Sequence, residues 1–392
     1  MVGAEVVVVG GGVNGASTAY QLAQAGVQVV LLERRQLGAG ASGKSGALVR
    51  MHYTNPHESK LAFESLKIFQ HWSELIGGDP GFEATGFVQI VPPACEAQLR
   101  ANVAEQQAIG INTEIIGARE LQDLVPEART DDLTYAAYEP ESGFADPNAT
   151  LYAFVRAAKQ LGADIRTGVE VTRVLTAGDR VTGVETTAGR IDAETVVLAP
   201  GGWADRLLKP LGLDFGLQPH RAQVAIFRWP PEFVRRHPVF IDTTQGSWFR
   251  CEGRCGTLIG VELGVGGVDV DALDEGVDED YVALCRRALA ARLPAFAQAT
   301  MRGGWAGIIM MSPDGRPIID QVPSVAGLYC MVGDSGTSFK TSPAIGKCLA
   351  EWITTGAPRT ADLTPFRSTR FAEGRPWHDE NAYGTERLTI SR

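Results

Sequence analysis

The sequence predicts a mixed α/β and α+β protein, in which a Rossmann-like domain is interleaved with a mixed-sheet cap domain. Three observations predict it. The chain opens with a complete βαβ unit carrying a glycine-rich turn. Segments of that α/β type return near Asp146 and again near the carboxyl end, separated by runs of β-like sequence. With 392 residues and 44% apolar content, the chain has enough material to fill both cores.

Residues 5–9, EVVVV, form a β-branched run too short for a helix and continuous enough for a strand buried on both faces of a parallel sheet. The turn GGGVNG places Gly10, Gly12 and Gly15 in the GxGxxG spacing, ahead of a helix whose apolar period runs through Ala19, Leu22 and Ala23 to Gly26. A second strand, VQVVLLE, ends at Glu33. Each glycine has a physical reason: Gly10 permits the tight turn, Gly12 lets the backbone approach a pyrophosphate, and Gly15 lets helix and strand pack closely. The helix N-terminus stabilises phosphate charge. Glu33 suits an adenosine ribose and repels a 2′-phosphate, although Arg34 and Arg35 beside it leave NADP formally open.

The loop LGAGASGKSGALVR follows, then a helix expected over 57–76 and the turn-rich GGDPGFEATG. The second α/β block holds the helix ATLYAFVRAAKQLG, strands around IRTGVEVTRVLT and RVTGVETTAG, and the buried run TVVLAP, which delivers Gly201 and Gly202 to a turn. From about Leu217 to Arg302 the runs RAQVAIFRW and CGTLIGVELG and a helix over 278–293 read as the cap. Short strands and a helix from about Pro343 close the α/β part. The expected division is 1–83, 140–217 and 306–372 for the Rossmann-like domain, 84–139 and 218–305 for the cap, and 373–392 for a tail, either mobile or packed late on the surface.

Thirty-six basic against 46 acidic residues disfavour nucleic acid and anionic membranes as partners. The amino terminus carries no cationic region before its short apolar run, so neither a leader nor a membrane span is expected and the cytoplasm is the default location. Six sparse cysteines read as reduced thiols; Cys251 and Cys255 lack a second pair at zinc spacing, and no metal site is expected.

Five stretches in order, VVVVGGGVNGASTAYQLAQAG, GASGKSGALVR, VVLAPGGWAD, WAGIIMMSPDGRPIID and GDSGTSFKTSPAIGKCLAEW, together resemble the D-amino-acid oxidase superfamily of FAD enzymes, in its sarcosine oxidase and glycine oxidase branch. The resemblance implies FAD held by Gly10, Gly12, Val13, Asn14, Gly15, Glu33 and Arg34, by Ala41, Ser42, Ser45 and Gly46, by Val171, Gly201 and Trp203, and by Gly307, Gly333, Gly336, Thr337, Ser338 and Lys340. It also implies that Arg50 and Lys340 hold a substrate carboxylate, the arginine through paired hydrogen bonds and the lysine as a point charge. His52 and Tyr53 follow Arg50 and are candidates for the pocket, His52 equally for a structural role.

GDSG, residues 333–336, is also the tetrapeptide around the nucleophilic serine of trypsin-like proteases. A protease needs a positioned histidine and aspartate on an antiparallel barrel, whereas this chain opens with a parallel fold, so Ser335 reads as a turn residue near the flavin. Departures from the family pattern carry information as well. Gly307 stands where sarcosine oxidases carry the cysteine that binds flavin covalently, so FAD is expected to be dissociable. Ile309 replaces the carboxylate-binding arginine of glycine oxidases, and Leu258 stands where sarcosine oxidases place an oxygen-activating lysine. The small groups at Gly307 and Leu258 suggest room for a larger amine.

The expected reaction is oxidative deamination or N-dealkylation of glycine, sarcosine or a bulkier N-substituted glycine. Hydride passes from carbon to flavin, the imine hydrolyses, and dioxygen reoxidises the cofactor to give hydrogen peroxide. The rival readings are an FAD dehydrogenase for a cyclic imino acid such as proline, a non-catalytic flavin-binding protein, and an NAD-only enzyme. The oligomeric state is left open.

Overall fold

The computed structural model describes residues 3–384. The opening run is the strand Gly3–Val9, and its last four residues are buried. It lies mid-sheet, parallel to Val29–Glu33 on one side and to Gly189–Leu198 on the other. Across the main path the strands run Ile318–Gln321, Leu328–Val332, Gly189–Leu198, Gly3–Val9, Val29–Glu33, Asp164–Thr167, and only the first pair is antiparallel. Both faces are covered, which is why the central strand reads as unbroken valine. Val6 and Val8 enter one core with the helices Val13–Gln24, Pro147–Gln160 and Ser342–Thr355. Val7 and Val9 enter the other, beneath the antiparallel strands Val171–Ala177 and Arg180–Thr186 and the short helix Ala204–Leu208.

The second sheet has nine strands, in the order Val265–Gly266, Gln218–Arg228, Gly256–Val261, Ser247–Glu252, Val239–Asp242, Phe87–Ile90, Tyr135–Glu139, Glu114–Gly117, with Met301–Met311 also paired to Gln218–Arg228. The helix Glu279–Arg292 covers one of its faces through Tyr281, Cys285, Ala288 and Leu289. The described residues are thus mixed α/β, with two large sheets whose strands alternate along the chain and a two-stranded sheet of Leu48–Val49 and Gly143–Phe144. Met301–Met311 runs unbroken through the boundary expected between residues 305 and 306, because it pairs along almost its whole length with Gln218–Arg228.

The helix expected over 57–76 is two helices, Pro56–Gln70 and Trp72–Leu75, parted at His71 (φ −112°, ψ 26°). The break turns Trp72 into the core, where it stacks on Phe69 and meets Phe154 edge-on. In the tail, residues 373–384 lie largely exposed but are tied down at points: Trp377 N donates to Asp314, and buried Asp379 pairs with Arg316. Residues 385–392 lie outside the described residues.

Candidate active site

Beyond Val9 the chain turns at Gly10 (φ +112°), where a Cβ would sit 2.2 Å from the Ala199 carbonyl oxygen. A Cβ on Gly15 would sit 2.0 Å from the Gly10 oxygen, so helix and turn touch only because both residues are glycine. Gly12, the N-cap of Val13–Gln24, meets nothing nearer than Ser42 Oγ at 3.0 Å, and Val13 N donates to that hydroxyl at 2.9 Å. Gly11, to which the motif assigns no role, also has one. A Cβ there would lie 2.8 Å from the Glu33 side chain, whose two carboxylate oxygens accept from Gly11 N (2.8 Å) and Arg35 N (2.7 Å). The middle glycine of the GGG run is the sequence signal for this contact.

This turn forms the floor of an outer cavity with about 1160 Å³ of empty space, at the carboxyl ends of the parallel strands, where open α/β sheets bind ligands. Gly10, Gly12, Asn14, Glu33, Arg34, Ala41, Ser42, Val171, Gly201, Trp203 and Gly333 all line it. The Arg34 guanidinium lies 4.1 Å from the Trp203 ring centre. Asp271, which sequence reasoning missed, reaches across from the second-sheet segment. It accepts from Arg34 (3.2 Å), Trp203 Nε1 (3.0 Å) and Arg206.

Asn14, Ala41, Ser42 and Asp334 also line an inner cavity with about 1080 Å³ of empty space, so the two chambers adjoin along a shared wall. The inner chamber is lined by Arg50 and Lys340, together with Val13, Ser45, Gly46, Gly307, Gly336 and Thr337. Lys44, also unanticipated, is a third cation there; its Nζ lies 2.5 Å from Glu275. The lining also includes the apolar side chains of Trp248, Trp305, Ile241, Val261 and Ile309.

Arg50, 2% exposed, lies over the Tyr53 ring at 4.3 Å and donates to the His52 carbonyl oxygen. Lys340, 7% exposed, lies 5.4 Å from the same ring and donates to Thr337 O at 3.2 Å. Burial first, then the Arg50 charge, holds the Lys340 amine well below the ordinary lysine range. Burial pushes the Asp334 carboxyl up to about 6.

Gly15, Ser338, His52 and Tyr53 line neither chamber. Asn102 Nδ2 donates to the Asn381 carbonyl oxygen (3.0 Å) and to the Tyr383 hydroxyl (2.9 Å), leaving the hydroxyl proton for His52 Nε2 at 2.6 Å. Burial, reinforced by Arg50, lowers His52 to about 3, so the ring stays neutral behind the arginine. The Tyr53 hydroxyl donates to Thr337 O, and burial raises its pKa. Leu258 is fully buried and lines neither chamber, and Lys44 occupies the space over Gly307, 3.3 Å from a Cβ built there. The room expected from those two positions is therefore absent. Ser335 is fully buried at φ +50°, donates to Gly333 O (2.9 Å) and accepts from Ser312 N (3.1 Å), which makes it a turn residue and not a nucleophile.

A Rossmann-type glycine turn under one chamber, opening beside a second chamber lined by Arg50 and Lys340, defines the class as dinucleotide-dependent enzymes. The family model described as FAD dependent oxidoreductase matches residues 5–352, and the chain belongs to that family. It is similar to sarcosine oxidase subunit beta of Arthrobacter sp, 28% identical over 381 residues, covering 94% of this chain and 91% of the relative. It is 27% identical over 388 residues to mitochondrial dimethylglycine dehydrogenase of Rattus norvegicus, covering 94% of this chain and 45% of that one, so it spans about half of that relative. The crystal structure of L-proline dehydrogenase from P.horikoshii matches with TM-score 0.90 at 25% identity, covering 96% of this chain and 100% of that one.

The chain is an FAD-dependent oxidoreductase, and its residues fit the cofactor. Gly10, Gly12 and the amides opening Val13–Gln24 form a cradle that side chains would fill, and Glu33, Arg34 and Trp203 stand at its outer end.

Proposed function

We propose that the enzyme oxidises a glycine-type or cyclic amino acid at the carbon beside its nitrogen, giving an imine that water hydrolyses. The observation that carries this is the convergence of two buried basic side chains, Arg50 and Lys340, on one aromatic ring in a chamber otherwise lined largely by apolar groups. Burial and the Arg50 charge disfavour the protonated form of Lys340, and a bound carboxylate beside both side chains favours it. A carboxylate fits the guanidinium fork and the ammonium point charge. When bound, FAD supplies the two-electron oxidant. Arg50 and Lys340 fix the carboxylate and so orient the adjoining carbon, while Trp248, Ile241 and Val261 exclude water and take the apolar part of the amine.

The names of two relatives, sarcosine oxidase and dimethylglycine dehydrogenase, support N-methylglycines as substrates. The match to L-proline dehydrogenase supports a cyclic imino acid as the second reading. Anaerobic bleaching of the flavin by sarcosine, N,N-dimethylglycine, glycine and L-proline decides between them, and hydrogen peroxide formed in air separates oxidase from dehydrogenase. Arg50→Met and Lys340→Met are each expected to weaken carboxylate binding about 10- to 100-fold, from about 1.5–3 kcal/mol for a hydrogen bond to a charged group. Equal bleaching by the matching amino-acid amides, which lack the carboxylate, would overturn the proposal. FAD is proposed to be dissociable, Gly307 offering no thiol; yellow colour retained by acid-precipitated protein would refute that.

A further inference from the structure

Trp248 lies on the strand Ser247–Glu252, opposite Gly260 on one neighbouring strand and Ile241 on the other. Its indole occupies a slot between two glycines. A Cβ on Gly260 would come within 2.5 Å of Nε1 and Cε2, and one on Gly46 within 2.2 Å of Cη2. Neither glycine has a positive φ, so backbone conformation demands glycine at neither position; the ring does. Gly260 sits inside a strand, where glycine weakens pairing and marks the close approach of another group. Gly46 belongs to the loop that leads to Arg50, and its carbonyl oxygen accepts from Arg250 Nε at 2.5 Å, tying that loop to the strand that carries Trp248. The indole is therefore wedged between the second sheet and the loop that leads to the carboxylate-binding arginine, and the same side chain lines the inner chamber.

We propose that Trp248 is the specificity-determining residue of this chamber, limiting the substrate to a small aliphatic N-substituent or a five-membered ring and excluding aryl-bearing amines. The inference rests on the reading that Arg50 and Lys340 hold the carboxylate. With that end fixed, the apolar part of the substrate must lie within reach of the wall that Trp248 forms. Locked from both sides, the plate cannot swing aside to admit a larger group.

The test uses the holoenzyme and two inert carboxylates, acetate and phenylacetate, whose binding is read from the perturbation of the flavin absorption spectrum. Trp248→Ala is expected to raise the affinity for phenylacetate relative to acetate by about 10-fold or more, with a parallel rise in kcat/KM for N-benzylglycine over sarcosine. Trp248→Phe keeps a smaller plate in the slot and should shift both ratios in the same direction by less, which guards against an alanine variant that folds poorly. If the wild type binds acetate and both ratios stay unchanged in both variants, this inference fails while the carboxylate reading stands. If the wild type binds neither carboxylate, both fail.

Discussion

Lys340 shows what the site costs the fold. Burial and the neighbouring Arg50 charge hold its amine well below the ordinary lysine value, whereas in the unfolded chain it titrates near about 10.4. Between those two values the unfolded chain binds the additional proton, so this residue makes stability rise with pH across the window and subtracts from it at neutral pH. Lys340→Met is therefore expected to raise the melting temperature at pH 7, with the gain shrinking as pH approaches about 10. A variant that melts no higher than the wild type would show that the amine carries no such penalty. The same geometry links binding to protons. A carboxylate beside Lys340 favours its charged form, so ligand binding should take up a proton and weaken as pH rises through the lowered lysine value. Calorimetry in buffers of different ionisation enthalpy measures that uptake directly, and a value of zero at every pH up to about 10, the ordinary lysine value, would contradict it.

Among the elements, the turn SPDGR between the strands Met301–Met311 and Ile318–Gln321 carries more than its place in a family pattern. Arg316 is fully buried; Glu58, from the first turn of Pro56–Gln70, lies 2.9 Å from its guanidinium, and Asp379 of the carboxyl-terminal segment pairs with its other face. Two residues earlier, Asp314 accepts two hydrogen bonds from Arg370, at 2.8 and 3.0 Å. Arg316–Asp379 binds the tail to the core, and Asp314 holds both Arg370, just before the tail, and Trp377 N within it. Asp314→Ala would leave Arg370 buried without its carboxylate and is expected to destabilise the protein by about 3–5 kcal/mol in denaturant unfolding, while an effect under about 1 kcal/mol would mean the pair is dispensable. These pairs also mark the limit of what the sequence shows. The first βαβ unit is legible because its determinants are local: a valine run, three glycines and a terminal acid within some thirty residues. Arg50 and Lys340 are legible because each stands in a recognisable segment. The charged tail reads as surface because its partners are remote, His52 and Tyr383 being 331 positions apart and Arg316 and Asp379 being 63. Lys44, Asp271 and Trp248 escaped for the same reason: their roles exist only once the two sheets are brought together, and no periodicity records that.

At the scale of the whole molecule, the two sheets meet around the cofactor chambers, and the segment linking Gly256–Val261 to the helix Glu279–Arg292 ties them together. It is acidic, and its acids fall on cations from several parts of the chain: Asp271 on Arg34 and Arg206, Glu275 on Lys44, Asp278 on Arg221. Hydrogen bonds from Arg206 and then Trp203 hold Asp271 at about 2, so it stays charged throughout the neutral range. Each of these contacts is partly exposed, and a single exposed ion pair contributes little. Asp271 differs in gathering three residues of the outer-chamber wall, Arg34, Trp203 and Arg206, onto one carboxylate. It is thus placed to hold that wall of the chamber together. Asp271→Asn is expected to speed the release of FAD, followed by the rise in flavin fluorescence on dilution. In the wild type, salt should speed release as well, because exposed charges are screened over a Debye length of about 8 Å at physiological ionic strength. Phosphate contacts at the glycine turn also respond to salt, so the decisive quantity is the difference between the two proteins. The salt dependence of release should be smaller in Asp271→Asn than in the wild type, and equal slopes with equal rates would show that this acidic segment does not help to hold the cofactor.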